Sequence, residues 1–184
     1  MSIFKKNIKV SSEEELINLA KKNSKYFTPI YNQYHEQIFR FVYQRMKNQD
    51  DAADVTSQVF LNALLNLNKY EFRGFPFSSW LYRIAINEVN QHYRKTNNKR
   101  FVNVEDANIK DIIEESGADF DEEKREKLLQ ALASLNQEKV MLIELRFFEK
   151  RAFKEIAQVL NITENNAKVK TYRVLEEMKK RMIN

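Results

Sequence analysis

The fold is decided by residues 153–182, which read FKEIAQVLNITENNAKVKTYRVLEEMKKRM. Apolar residues recur with helical spacing on both sides of Asn161-Ile162-Thr163, and this spacing predicts two helices. Asn161 tolerates the left-handed conformation that a tight turn requires, and Thr163 is a suitable cap for the second helix. A short helix, a three-residue turn and a longer helix together form a helix-turn-helix arrangement.

The composition of the whole chain favours an all-α protein. Its 184 residues include only two glycines and two prolines, too few for the many tight turns of an all-β protein. The absence of cysteine excludes disulfides and thiolate metal sites. The longest apolar run, Val140–Ile143, is too short to span a membrane, and the first ten residues lack the apolar stretch of a secretory signal. We therefore expect a cytoplasmic protein with no membrane insertion.

Charge divides the chain into two basic blocks with an acidic strip between them. Residues 101–127 hold ten acidic and four basic side chains, whereas both flanking segments carry a net positive charge. We interpret residues 12–98 and 127–184 as two small helical domains, and residues 99–126 as an acidic linker or loosely ordered segment. The strip is either a solvated loop or a polyanion that keeps two nucleic-acid-binding blocks from sticking to each other.

The second helix of the helix-turn-helix carries candidate DNA-contacting side chains. Away from its apolar stripe the helix is polar and basic, and recognition helices place such side chains at base edges and phosphates of the major groove. The alternative is an ordinary amphipathic helical hairpin with a solvated basic face. The candidates are Asn165, Asn166, Lys168, Val169, Lys170, Tyr172 and Arg173.

The segment 70–94 interleaves aromatic residues with arginines. Single-stranded nucleic acid is bound by aromatic side chains that stack on bases and by cations that follow the backbone, and an extruded base needs a pocket of the same composition. The alternative is that these aromatic side chains form part of the core. The candidates are Phe72, Arg73, Phe75, Phe77, Trp80, Arg83 and Arg94, and the exposed face of the same helix adds Asn87, Asn90 and Gln91.

The residue pattern gives no support for an enzyme. Asp50, Asp51, Asp54 and Glu71 are more consistent with solvated acids near a helix start than with a metal site. No glycine-rich phosphate loop and no nucleophile motif is present. We therefore expect no catalytic residue, no metal and no cofactor.

Three stretches carry a resemblance to a known family. They are FRGFPFSSWLYRIAINEVNQHYRK (residues 72–95), SLNQEKVMLIELRFFEKRAFKEIAQVLNITENNAKVKTYRVLEEM (134–178) and DDAADVTSQVFLNAL (51–65). In this order they resemble the promoter-melting and −10-reading segment, the −35-reading domain and the polymerase-docking helix of the sigma-70 family of bacterial RNA polymerase sigma factors. The chain is similar to the small extracytoplasmic-function (ECF) group of that family.

The resemblance implies an alternative sigma factor that binds bacterial core RNA polymerase and directs promoter recognition, DNA melting and transcription initiation. It implies that the candidates on the last helix contact duplex −35 DNA. It also implies that Asn87 and the loop 72–79, which includes Ser79, hold an unstacked −10 base of the single strand. An anti-sigma factor is a further implied partner. The implied docking residues are Asp54, Ser57, Gln58 and Phe60.

Two other functions are compatible with these patterns. One is a polymerase-independent helix-turn-helix regulator with an N-terminal dimerisation or sensory domain, which would bind palindromic half-sites without polymerase. The other is a helical interaction protein that binds no DNA. Co-purification with core polymerase separates the sigma factor from both.

Overall fold

The computed structural model describes residues 12–46, 48–96, 106–115, 117 and 121–183. All regular elements within these residues are helical, which confirms the all-α prediction. The chain divides into two compact units. The first comprises Met1–Tyr43 and Asn48–Asn98, and the second comprises Gln44–Lys47 and Lys99–Asn184.

The first unit is a helical cluster built around apolar faces of 3.6-residue period. Short 3₁₀ turns at Ser24–Tyr26 and Leu67–Lys69 connect its longer helices. Phe41, Leu81 and Tyr82 are completely buried where these helices meet. The helices are α1 (Glu13–Lys22), α2 (Phe27–Tyr43), α3 (Gln49–Asn66) and α4 (Phe77–Thr96).

Side chains at the helix starts account for the helix boundaries in this unit. The Ser12 hydroxyl accepts the Glu15 N–H at 3.2 Å at the start of α1. Asn48 Oδ1 accepts the Asp51 N–H at 2.7 Å at the start of α3. Helix α4 begins at Phe77, and Ser78 is buried in its first turn.

The second unit packs its helices around a separate core. Leu128, Leu142 and Ile156 are among its most deeply buried side chains. A π-helical segment, Glu144–Phe148, follows α7 directly. The helices are α5 (Asp106–Glu115), α6 (Glu122–Ser134), α7 (Gln137–Ile143), α8 (Phe153–Leu160) and α9 (Glu164–Ile183).

The acidic strip contains a helix that was not predicted from the sequence. Ile109, Ile112 and Ile113 of α5 are completely buried, and the helix packs against α6 and the π-helical segment. Their i, i+3, i+4 spacing is typical of a buried helix face. The expectation of a loosely ordered segment is therefore wrong for residues 106–115, while the role of residues 99–126 as a linker stays a prediction.

A buried ion pair lies within the second unit. Arg45 Nη2 is 2.9 Å from Glu144 Oε2, and the two side chains are only 2% and 1% exposed. Removing either partner would leave an uncompensated charge in the interior, which costs more than replacing both with apolar residues.

The turn between α8 and α9 confirms the predicted helix-turn-helix. Asn161 adopts the left-handed conformation, with φ 55° and ψ 47°. The Ile162 N–H donates back to the Ala157 carbonyl at 3.0 Å, and the Thr163 hydroxyl accepts the Asn166 N–H at 3.2 Å. These bonds satisfy backbone groups at both helix ends and fix the direction in which α9 leaves the turn.

We expect Asn161→Ala to lower the free energy of unfolding by about 1 kcal/mol, because the alanine Cβ is crowded in the left-handed conformation. Asn161→Gly is the matched control and should leave stability unchanged or slightly higher, since glycine adopts this conformation readily. Urea denaturation followed by far-UV circular dichroism measures both variants. Equal losses of unfolding free energy in the two variants would show that the left-handed conformation of residue 161 does not determine stability.

Candidate nucleic-acid interface

Helix α9 has one buried face and one polar face. Ala167, Thr171, Val174 and Met178 recur every three or four residues and are buried, so the exposed residues of the helix lie on the opposite face. That face combines amide, cationic and aromatic groups, which suit base edges and phosphates. Six of the predicted contacts are exposed on it: Asn165, Asn166, Lys168, Val169, Tyr172 and Arg173.

Lys170 differs from the other predicted contacts. Its side chain is half-buried, and its Nζ lies 2.5 Å from Glu138 Oε1. Two helical turns further along, Glu177 makes an equivalent pair with Lys139 at 2.5 Å, and that hydrogen bond lowers the pKa of Glu177. The two pairs join α9 to α7. The charge of Lys170 is therefore already compensated within the protein.

Tyr172 contacts the acidic helix α5. Its hydroxyl donates to Glu115 Oε1 at 3.1 Å, and its ring centroid lies 5.9 Å from that of Phe153. The hydrogen bond to Glu115, together with smaller effects of burial and the nearby carboxylate charge, raises the pKa of Tyr172. A second acid of α5, Asp111, pairs with Lys150. A carboxylate thus lies beside a side chain predicted to contact DNA.

For Glu115→Ala we expect the pKa of Tyr172 to fall back toward the ordinary tyrosine value, because the acceptor that favours the neutral phenol is lost. Ultraviolet absorbance titration of the tyrosines measures the change. Tyr172→Phe identifies the titration step of this residue, and Glu114→Ala is the control for removing an exposed charge from α5. A Tyr172 titration unchanged by Glu115→Ala would contradict the contact.

In the first unit, the loop 70–76 leads into α4 and is largely exposed. Phe72 is 42% exposed, and Phe75 is half-buried. Arg73 Nη2 lies 2.9 Å from Glu71 Oε2, and the hydrogen bond from Arg73 lowers the pKa of Glu71. The exposed part of the loop therefore carries the aromatic and cationic groups that the sequence predicts for it.

Other predicted members of the −10 site belong to the core. Phe77 and Ser79 are buried, so neither side chain is available for direct contact with a base. Trp80 is half-buried and packs 5.0 Å from Tyr70 and 5.2 Å from Phe77, measured between ring centroids. Burial, with the nearby carboxylates of Glu13 and Glu14, raises the pKa of Tyr70 to about 12. These aromatic side chains pack against one another at the base of the loop.

Helix α4 extends the polar surface beyond the loop. Asn87, Gln91 and Arg94 are exposed, and their i, i+4, i+7 spacing places them on one face. Arg83 and Asn90 are half-buried beside that face. The structure thus places the three exposed side chains on one side of α4, as the sequence predicts.

The predicted docking surface on α3 needs one correction. Asp54, Ser57 and Gln58 are exposed, but Phe60 is only 4% exposed and packs edge-on against Tyr31, with 4.8 Å between ring centroids. Two further apolar side chains on the same helix, not predicted as docking residues, are exposed: Leu61 at 48% and Leu65 at 68%. Asp54, Gln58, Leu61 and Leu65 are spaced i, i+4, i+7, i+11, and this spacing places them on one face.

The described residues contain no group of three or more acidic or histidine side chains arranged to hold a metal ion. Within the same residues, no helix combines the length and the apolar character needed to cross a membrane.

Comparison with known proteins identifies the family. Two family models match the chain, sigma-70 region 2 over residues 30–99 and sigma-70 region 4 over residues 125–178. RNA polymerase sigma factor SigV of Bacillus subtilis is 30% identical over 146 residues, which cover 79% of this chain and 84% of SigV. The chain belongs to the sigma-70 family. Within the family it is a member of the ECF group.

Further relatives agree with this assignment. The ECF RNA polymerase sigma factor BldN of Streptomyces coelicolor is 28% identical over 154 residues, which cover 83% of this chain but only 58% of BldN. The solved structure of CnrH in complex with the cytosolic domain of CnrY has a TM-score of 0.57 and 18% sequence identity. It covers 89% of this chain and 92% of CnrH. That likeness shows that this family member shares the CnrH fold.

The two family matches do not include every helix of this sigma-70 family member. Region 2 begins at residue 30, within α2, and region 4 begins at residue 125, within α6. Helix α1 and helix α5 therefore lie outside both matches. The −10 and docking candidates fall within region 2, and the candidates on α9 fall within region 4.

Proposed function

We propose that this chain is an ECF sigma factor that binds bacterial core RNA polymerase and directs promoter recognition, DNA melting and transcription initiation. The observation that carries the proposal is the presence of two distinct surfaces, one on α9 and one on the loop 70–76 with α4, each within the corresponding family match. A helix-turn-helix regulator needs only the first surface. The aromatic and cationic loop of the second suits an unpaired strand.

In this proposal residues 12–98 act as sigma domain 2 and residues 127–184 as sigma domain 4, with residues 99–126 joining them. The first compact unit, which extends to residue 98, supports the first boundary. The packing of α5 against α6 means that the joining segment also contributes to the core of the second unit.

Recognition of the −35 element is assigned to α9, lying in the major groove. Lys168 and Arg173 are positioned to donate to guanine or to phosphates, and the amides of Asn165 and Asn166 suit adenine. Tyr172 exchanges Glu115 for a DNA acceptor when the helix binds. Lys170, already paired with Glu138, contributes little to this contact.

Opening of the −10 element is assigned to the loop and the exposed face of α4. Extruding a base costs a few kcal/mol, and each base stacked on an aromatic side chain returns about 1–3 kcal/mol. Phe72 and Phe75 therefore suffice to offset the cost of one flipped base. Asn87 provides hydrogen bonds to the base, and Arg73 and Arg94 neutralise phosphates.

Core polymerase supplies the catalysis, and this chain makes and breaks no bond. The exposed face of α3, which includes Leu61 and Leu65, binds the polymerase. Once both domains are held on the polymerase, the second promoter contact becomes intramolecular, and the overall affinity for the promoter rises without any new contact. This role places the protein in the cytoplasm.

An anti-sigma factor is the further partner we propose. The solved structure of CnrH, which shares the fold, contains the cytosolic domain of a second protein, CnrY. A partner that covers the exposed faces of α3 and α9 would block polymerase binding and DNA binding together.

Run-off transcription with purified core polymerase tests the proposed function. The template is a library of DNA fragments, and the 5′ ends of the transcripts are sequenced. Addition of the protein should produce defined start sites that share spaced −35 and −10 elements. Tight binding to palindromic DNA without polymerase, and no new start sites, would instead favour the helix-turn-helix regulator.

A further inference from the structure

Helix α1 holds both ends of the exposed loop 70–76. At one end, Lys21 Nζ donates to the Tyr70 carbonyl oxygen at 2.5 Å and lies 5.9 Å from the centre of the Tyr70 ring. At the other end, Glu13 Oε2 accepts the Phe77 N–H at 3.0 Å. These two side chains are eight residues apart on α1, and both contacts are partly buried.

The Glu13 carboxylate caps α4 from another helix. The N–H groups in the first turn of a helix have no acceptor within the helix, and a negative charge there is favoured by the helix dipole. The second oxygen of Glu13 accepts the Tyr34 hydroxyl, and the Tyr34 ring lies 5.9 Å from that of Phe77. The carboxylate is therefore fixed by partners on two different helices.

The two anchored residues also contact each other beneath the loop. The Tyr70 and Phe77 ring centroids are 5.0 Å apart, and Trp80 packs against both. In contrast, Phe72 and Arg73 in the middle of the loop are exposed. The loop is thus tightly held at its ends and free to present its central side chains.

We propose that Glu13 and Lys21 are positioning residues for promoter opening, because they fix the ends of the loop that presents Phe72, Arg73 and Phe75 to the unpaired strand. This inference rests on the proposed function, and α1 lies outside the family match that begins at residue 30. A loop held in its binding conformation loses less conformational entropy when it captures the strand.

Two measurements on the full-length protein test the proposal with the same variants. Trp80 is the only tryptophan in the chain, so acrylamide quenching of its fluorescence reports the packing beneath the loop without polymerase. Permanganate reactivity of −10 thymines, measured with core polymerase at saturating protein, reports opening. The variants are Glu13→Ala and Lys21→Met, and the matched controls are Glu14→Ala and Lys22→Met, which remove the same charges from exposed positions of α1.

We expect Glu13→Ala and Lys21→Met to increase Trp80 quenching and to slow opening about tenfold, the effect of losing one charge-assisted hydrogen bond. Binding to core polymerase should stay unchanged, and both controls should resemble the parent protein. Glu13→Gln keeps an acceptor oxygen for the Phe77 N–H and should restore most of the opening rate. A general loss of stability would not be corrected in this way.

Several results would overturn the proposal. Unchanged quenching would show that α1 does not anchor the loop, and increased quenching with a normal opening rate would show that the anchoring has no role in opening. Equal defects in the controls would point to the net charge of α1. If the parent protein opens no promoter, the proposed function itself has failed, and the quenching comparison still decides whether α1 anchors the loop.

Discussion

Leu65→Asp is expected to weaken binding to core RNA polymerase by a factor of about 100 or more. Leu65 is 68% exposed and Leu61 is 48% exposed on the same face of α3. Burying a leucine contributes about 1.5–3 kcal/mol. A carboxylate in its place adds a desolvation cost, so the total reaches the roughly 3 kcal/mol that corresponds to a hundredfold loss. Titration of labelled protein with core polymerase measures the affinity.

A matched control distinguishes the loss of the apolar docking surface from a general effect of adding a negative charge. Gln33→Asp adds the same charge at an exposed position of α2 and should leave the affinity unchanged. Because Leu65 is exposed, both variants should retain the helical circular dichroism of the parent protein. Full affinity in Leu65→Asp would remove this face of α3 from the docking surface.

Arg173→Ala is expected to weaken binding to −35 DNA by about 1–3 kcal/mol, because its side chain lies on the exposed face of α9 and, as we propose, donates to a base or a phosphate. Loss of a base contact should relax the sequence preference at one position. Loss of a phosphate contact should instead weaken binding to all sequences and reduce the salt dependence by about one ion. Fluorescence anisotropy of holoenzyme on promoter variants at several salt concentrations distinguishes the two.

Lys170→Ala provides the comparison for Arg173→Ala on the same helix. Both substitutions remove one positive charge, but Lys170 is already paired with Glu138. We therefore expect Lys170→Ala to have a clearly smaller effect on DNA affinity. Equal losses would indicate that the net charge of α9, and not the position of each side chain, governs binding.

The second unit shows which parts of a fold the sequence reveals. The helix-turn-helix was predictable because the apolar spacing, the left-handed Asn161 and the Thr163 cap all indicate the same local structure. The exposed face of α9 follows directly from that spacing. The pairings of Lys170 with Glu138 and of Tyr172 with Glu115 were hidden, since they depend on residues 32 and 57 positions away in the sequence.

In the first unit, the contacts that determine which side chains are exposed join residues far apart in the sequence. Phe60, Leu61 and Leu65 are similarly apolar. Phe60 is buried, whereas Leu61 and Leu65 are exposed, because of where α2 packs against α3. The role of Glu13 arises from a hydrogen bond to a residue 64 positions away. Helix α5 was a different case, because its apolar spacing was present in the sequence but was outweighed by the surrounding charge.

The packing of α5 also determines where the polypeptide is best divided for work on isolated fragments. A fragment that starts at residue 127 would lack Ile109, Ile112 and Ile113, and would expose to solvent the apolar surface that these residues cover. Such a fragment should self-associate during gel filtration. A fragment that starts at residue 101 retains the covering helix and should not associate through this surface, but it lacks Arg45 and leaves the buried Glu144 carboxylate without that partner.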